Sequence, residues 1–173
     1  MAETHSQDRS DPERSDYESG VQLEDGMELR VWLRLLTCTN LLDNEVRTRL
    51  KHTADTTLPR FDILAQLERY DGPMSMGELS KRLMVSNGNV TGVVQTLARD
   101  NYISIAPSPT DGRASIVRLT PLGRECFSGI AEAHHEWIDM MLEGLTRDQR
   151  AALYDLLGAL KISLADDKGK EQP

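Results

Sequence analysis

The residues of this 173-residue chain best suited to chemistry lie between Ser86 and Arg99, where Gly88, Thr91, Gly92, Gln95 and Arg99 recur every three or four positions, with Asn87 and Asn89 beside them. At about 100° per residue these polar and glycine positions gather on one side of a helix, opposite Val90, Val93, Val94 and Leu97. The amides and hydroxyls of Asn, Gln and Thr form the hydrogen bonds that read base edges in a major groove. A glycine inside a helix costs roughly 0.5–1 kcal/mol against alanine, so Gly88 and Gly92, one turn apart, suit a face on which another backbone or a phosphate comes close. A second candidate group follows in Ser108, Thr110, Asp111 and Arg113, within the polar, Pro- and Gly-bearing stretch 107–113. Arg113 suits the narrow, electronegative minor groove, with Asp111 shaping the turn or holding the guanidinium.

Two elements must position these groups. Ser75-Met76-Gly77-Glu78 has the form of a capping box, predicting that the Ser75 hydroxyl accepts from the amide three residues on while Glu78 reaches back. Leu79 and Leu83 of that short helix, with Met74 as a staple just ahead of it, then face inward. Val85-Ser86 breaks it, and Ser86 is placed to cap a second helix running to about Asp100. Beyond it, Tyr102 to Ile105 and part of Ser115 to Leu119 alternate with period two on either side of the 107–113 turn, which predicts a hairpin. Two helices and a hairpin describe a helix-turn-helix with a wing, one helix in the groove of double-stranded DNA and a loop beside it.

At this point the chain resembles the MarR family of bacterial winged-helix regulators. The likeness rests on Met76-Gly77-Glu78-Leu79-Ser80-Lys81-Arg82-Leu83, on Asn89-Val90-Thr91 with Leu97 to Asn101, and above all on the run Asp111-Gly112-Arg113-Ala114-Ser115-Ile116-Val117-Arg118-Leu119-Thr120-Pro121-Leu122-Gly123. That last run has the wing pattern of Asp, one residue, Arg, then a strand ending in Leu-Thr with a glycine shortly after. The likeness covers about Met27 to Leu164. Leu58 to Asp62, with Leu83 to Gly92, is also similar to the branch of the family that controls hydroxycinnamate breakdown, which implies repression relieved by a p-coumaroyl- or feruloyl-CoA thioester.

A net charge of -8 is at first sight wrong for a DNA partner. Residues 1–28, however, hold nine acids against two bases, whereas residues 72–120 hold five bases against three acids. The acidity sits away from the reading unit, whose modest positive charge predicts salt-sensitive binding strengthened when two subunits act together. The first 25 or so residues are nearly devoid of apolar side chains, the composition of a disordered tail rather than a secretory signal. No run of about 18 apolar residues suits a membrane. Cys38 and Cys126 are the only cysteines, and with no export signal they suit a reducing cytoplasm.

The expected fold is mainly α with a small β-hairpin wing. Residues 1–26 form an acidic tail, 27–56 a dimerisation helix, 57–120 the winged unit, 121–165 two C-terminal dimerisation helices and 166–173 a second tail. Thr57 caps and Pro59 opens one helix; Thr120-Pro121 opens another, running to about Glu143; Thr146 to Gln149 has the capping-box form. The outer helices carry more apolar surface than a winged unit of about 80 residues buries by itself. Either they fold back as an intramolecular cap or two copies pair. The resemblance implies the homodimer, and a two-fold protein calls for a pseudo-palindromic operator.

The resemblance also implies a small-molecule effector held where the dimer helices meet the winged unit. The candidates there are Arg30, Trp32, Arg34, Cys38, Arg47, Arg60, Phe61 and Trp137, aromatic surface beside cations, which suits an aromatic carboxylate or its CoA thioester. Two other signals stand beside it: oxidation of Cys38, and a metal at His134, His135 and Asp139. The first competes with an ordinary helical cysteine, and the second lacks the ligand cluster that metals use, so no metal or cofactor is expected. No nucleophile elbow, phosphate-binding glycine loop or paired His-Glu zinc signature is present, which argues against an enzyme. The remaining alternative is a winged-helix module that binds a partner protein.

Overall fold

The computed structural model describes residues 17, 26–109 and 114–167. Its elements in chain order are α1 (Met27–Ala54), α2 (Leu58–Tyr70), β1 (Met74–Ser75), α3 (Met76–Leu83), α4 (Asn87–Arg99), β2 (Ile103–Pro107), β3 (Ser115–Leu119), α5 (Pro121–Met141) and α6 (Arg147–Asp167). Most of the two expected tails, together with Thr110, Asp111 and Arg113, lies outside the described residues.

The winged unit is built on the core that the sequence pattern requires. Ile63, Leu64 and Leu67 of α2, Leu79 of α3, and Val90, Val94 and Leu97 of α4 pack with Met74, Ile103 and Val117 of the strands. Burying each such side chain contributes roughly 1.5–3 kcal/mol. A second core joins α1, α2 and α5 through Val46, Leu50, Phe61, Ile130 and Trp137.

Local chemistry follows the expected caps in part. Ser75 Oγ accepts from Glu78 N at 3.1 Å. Glu78 does not complete the box; its carboxylate takes Arg82 one turn on at 2.8 Å, and Arg82 in turn lies over the Tyr70 ring. Thr57 and Ser86 make no side-chain cap. Before α2, Pro59 removes one amide that a cap would use, and the amides of Arg60 and Phe61 turn to the Thr57 carbonyl, both at 3.0 Å. Before α4, the Ser86 carbonyl already takes the amides of Asn89 and Val90. The box at α6 is complete, with Thr146 N donating to Gln149 Oε1 at 2.8 Å and Gln149 N to Thr146 Oγ1 at 3.2 Å.

The sheet has one strand more than the expected hairpin. Its order is β1-β3-β2, all antiparallel, with Met74 opposite Val117 and Ser75 opposite Ile116 on one edge and Ile103 opposite Leu119 through Pro107 opposite Ser115 on the other. Two residues give no period to detect, which is why β1 is invisible in the sequence. Pro107 ends the exposed edge strand, where its missing N–H is tolerated.

One junction ties the wing to the helices on both sides of it. Thr120 N donates to Tyr102 O at 3.1 Å, Thr120 Oγ1 donates to Asn101 O at 2.7 Å, and Gly123 N donates back to Thr120 Oγ1 at 3.0 Å. Asn101 sits at φ 61°, a left-handed conformation that Asn tolerates better than most residues. The first turn of α5 thereby lies against the backbone that leaves α4, and a Cβ on Gly123 would stand 1.9 Å from Tyr102 O. Arg124 adds bonds to Glu68 at 2.5 Å and Asp71 at 3.1 Å, fixing the same turn to the end of α2.

The outer helices stay uncovered. Met27, Leu29, Val31, Trp32, Leu41 and Leu42 of α1 are exposed, as are Leu153, Tyr154, Leu156, Leu157, Leu160, Ile162 and Leu164 of α6. Among the described residues α6 makes no extensive contact with another element. The intramolecular cap is therefore not formed.

Candidate nucleic-acid interface and adjoining cavity

Helix α4 separates two surfaces. Its buried stripe, Val90, Val94 and Leu97, fixes it against α2, α3 and β2. Gly88, Thr91, Gly92, Gln95 and Arg99 are exposed, as is Ser86 ahead of them. A Cβ placed on Gly88 or Gly92 would meet nothing within 4 Å, so the fold itself has no need of glycine at either position. The electrostatics are more favourable than the residue count implies. Asp100, at the end of α4, is paired with Arg60 at 2.7 Å, and Glu78 is paired with Arg82, while Lys81 and Arg99 remain exposed on the same unit. Ser108 N donates to Ala114 O at 2.8 Å, closing the base of the wing loop, beyond which Thr110, Asp111 and Arg113 lie outside the described residues.

On the flank of α4 opens a cavity of about 360 Å³, lined by Arg47 of α1, Pro59, Asp62 and Ile63 of α2, Leu83 and Val85 at the turn, and Asn89, Val90 and Val93 of α4. Asn89, expected on the DNA face, thus stands at the boundary and contributes to this wall. Arg47 donates its Nε to Asp43 at 2.6 Å. Asp62 is a half-buried carboxylate that makes no hydrogen bond or ion pair among the described residues. Burial pushes its pKa up to about 6; Arg47 pulls it down and Asp43 pushes it further up.

The eight effector candidates are not brought together. Arg47 alone lines the cavity. Arg60 is held by Asp100 and lies over the Tyr102 ring, 5.9 Å from its centroid. Phe61 and Trp137 are buried in the second core, where Phe61 packs on Phe127 and His134. Arg30 and Arg34 flank a shallow depression with Met27, Val31 and Leu35 near the start of α1, and Trp32 and Cys38 are exposed along the same helix. Asp62 was the residue missed. Its sequence neighbours give no hint that it faces a cavity, because that face exists only once α4 packs across α2.

The metal candidates are also separated in role. His134 is stacked on Phe61 at 4.6 Å, and burial lowers its pKa; His135 stands 3.7 Å from Asp139 on the surface. Among the described residues no group of three or more His, Cys, Asp or Glu is placed to hold a metal ion.

Comparison with known proteins places the chain. Residues 54–114 match the model of the MarR family. The transcriptional activatory protein BadR of Rhodopseudomonas palustris is 33% identical over 110 residues, covering 61% of this chain and 62% of BadR. The HTH-type transcriptional repressor IacR of Pseudomonas putida is 30% identical over 109 residues, 63% of this chain and 65% of IacR. The chain thus spans just under two thirds of the length of these two relatives. The apo form of wild-type MarR from E. coli superposes with a TM-score of 0.64 at 26% identity, covering 73% of this chain and 94% of that one. The chain belongs to the MarR family of winged-helix transcriptional regulators. Its relatives are regulators, not enzymes.

Proposed function

We propose that the chain is a homodimeric, ligand-responsive repressor that sets α4 into the major groove of each half of a pseudo-palindromic operator, with the loop between β2 and β3 in the adjoining minor groove. The observation that carries the DNA reading is the outward face of α4, which exposes base-reading groups around two glycines that packing does not require. Ser86, whose hydroxyl caps nothing, and Arg99 serve as phosphate contacts at the two ends of the helix. The wing adds Arg113 from sequence, flanked by Ser108, Thr110 and Asp111.

Dimerisation is supported by the uncovered leucines of α6 and the exposed apolar residues of α1, which together form an apolar surface too large for a monomer to leave in water. Leu156→Asp with Leu160→Asp is expected to give a monomer by light scattering, still folded in its winged unit and binding an operator at least roughly 100-fold more weakly, as expected when one half-site contact is lost. A double variant that stays dimeric removes α6 from the interface.

For the effector, we propose that the cavity beside α4 takes the ligand. Its walls belong to α1 on one side and to the packed α2–α4 unit on the other, so an occupant that fits only one placement of α1 against that unit shifts that placement. A volume of about 360 Å³ suits a ring-sized aromatic acid, while the CoA portion of a thioester, with its three phosphates, would have to run out over the surface. The free acid is the better-supported half of the expected effector class. Repression is the sign that matches IacR among the relatives; BadR stands on the other side.

The test is a gel shift on the chain's own upstream DNA across a salt series. Binding should weaken steeply with salt, and Arg113→Ala should lower affinity roughly tenfold and reduce the salt slope by about one. Salt-independent binding would favour a protein partner on the α4 face instead.

A further inference from the structure

The cavity wall carries one carboxylate, that of Asp62, which makes no hydrogen bond or ion pair among the described residues. Asp62 is half-buried in it, with the Arg47 guanidinium acting on it through space and without a hydrogen bond to it. Arg47 is already joined to Asp43. The rest of the wall is Pro59, Ile63, Leu83, Val85, Val90 and Val93, with the Asn89 amide at one edge. Partial burial among these apolar side chains disfavours the charged form of the carboxylate, and Arg47 offsets only part of that cost. Residues of this kind persist where a ligand completes them.

Resting on the effector reading of this cavity, we infer that Asp62 is its specificity-determining acceptor, and that the effector is a small apolar body carrying a hydrogen-bond donor, a hydroxyl or an ammonium, that pairs with this carboxylate. Aromatic character and a carboxylate for Arg47 are compatible with that rule but insufficient for it. A site built to receive a hydroxyl or amine rejects the analogue without it far more strongly than an apolar wall rejects one methylene. The discrimination should therefore be large.

Charge supports the assignment. The groups facing Asp62 are Arg47 and Asp43, both from α1 and paired with each other, while the turn and α4 contribute no ionisable side chain to the wall. The lining itself carries one positive charge, Arg47, and one negative, Asp62, and Arg47 is shared with Asp43 just outside the wall. The ionised form of Asp62 is the better acceptor, so affinity should rise as the pH climbs from 5 through 6 to 7.

The test is calorimetry on the full chain with matched pairs. 4-Hydroxycinnamate against cinnamate reads the hydroxyl, and phenethylamine against ethylbenzene the ammonium. In at least one pair the donor-bearing member should bind tenfold or more tightly, and Asp62→Leu should remove that difference. Asp62→Asn should flatten the pH dependence and raise the melting temperature at pH 7.5 by roughly 2–4 °C. The sign follows from the raised pKa: folding stability falls as the pH rises through about 6, so the gain from Asn should vanish near pH 4. Equal affinities within both pairs overturn the role of Asp62 while leaving the cavity as an effector site. No detectable binding of any of the four overturns both the role of Asp62 and the cavity as an effector site.

Discussion

Replacing Gly123 by alanine is expected to destabilise the fold more than any other single methyl group added to the chain's helices. A Cβ at this position would lie 1.9 Å from the carbonyl oxygen of Tyr102 and 2.8 Å from its carbonyl carbon, and both are backbone atoms that no rotamer change can move. Relief requires α5 to lift off the turn at Asn101 and Tyr102, which breaks the bonds of Thr120 to those residues and loosens Arg124 from Glu68 and Asp71. Overpacking a well-filled core typically costs about 1–3 kcal/mol, and here the obstacle is main chain, so a loss of at least about 3 kcal/mol is expected. Urea unfolding followed by circular dichroism reads this directly. Gly129, two turns along the same helix, supplies the control: a Cβ there meets nothing within 4 Å, and Gly129→Ala should stabilise by roughly 0.5–1 kcal/mol. An unchanged midpoint for Gly123→Ala would show that the junction yields.

The second large effect has opposite signs in two assays. Gly92→Ala should tighten the fold by roughly 0.5–1 kcal/mol, because the position is helical, exposed and empty around its would-be Cβ. The same methyl group projects from the proposed groove-facing side of α4 and should hold the helix away from the base edges. A loss of roughly tenfold per subunit, about 1.4 kcal/mol, is expected in operator affinity, and the two copies in a dimer compound it. Stability and binding measured on one preparation separate the two terms. An alanine variant that is more stable and binds the operator as well as the parent would mean that the glycine face does not approach DNA closely.

What the sequence allowed one to see was governed by how local each cause is. The caps of α3, α5 and α6 are legible because Ser75, Thr120 and Thr146 bond amides three residues away. The inward stripe of α4 is legible because periodicity follows from helix geometry alone. Ser86 and Thr57 misled for an equally local reason, the backbone carbonyl having taken the amides that the hydroxyl was expected to accept from. Arg60 could not be separated from the effector candidates, since its partner Asp100 is forty residues away in the chain. Asp62 is the extreme case. The Leu58 to Asp62 likeness gives it no role of its own, and its environment is assembled from α1, the α3–α4 turn and α4.

The knot of bonds around Thr120, Gly123 and Arg124 also has a mechanical meaning. It welds the first turn of α5 to the exits of both α4 and α2, so reading helix, wing and the base of α5 turn as one solid piece. Helix α5, at 21 residues, is then a lever of roughly 31 Å. A tilt of about 10° at one end sweeps the other through roughly 5 Å, a large fraction of the ~12 Å width of a major groove. In the proposed dimer, a tilt of about 10° where two copies meet would thereby be geared up into a misfit at the operator, without any helix having to bend.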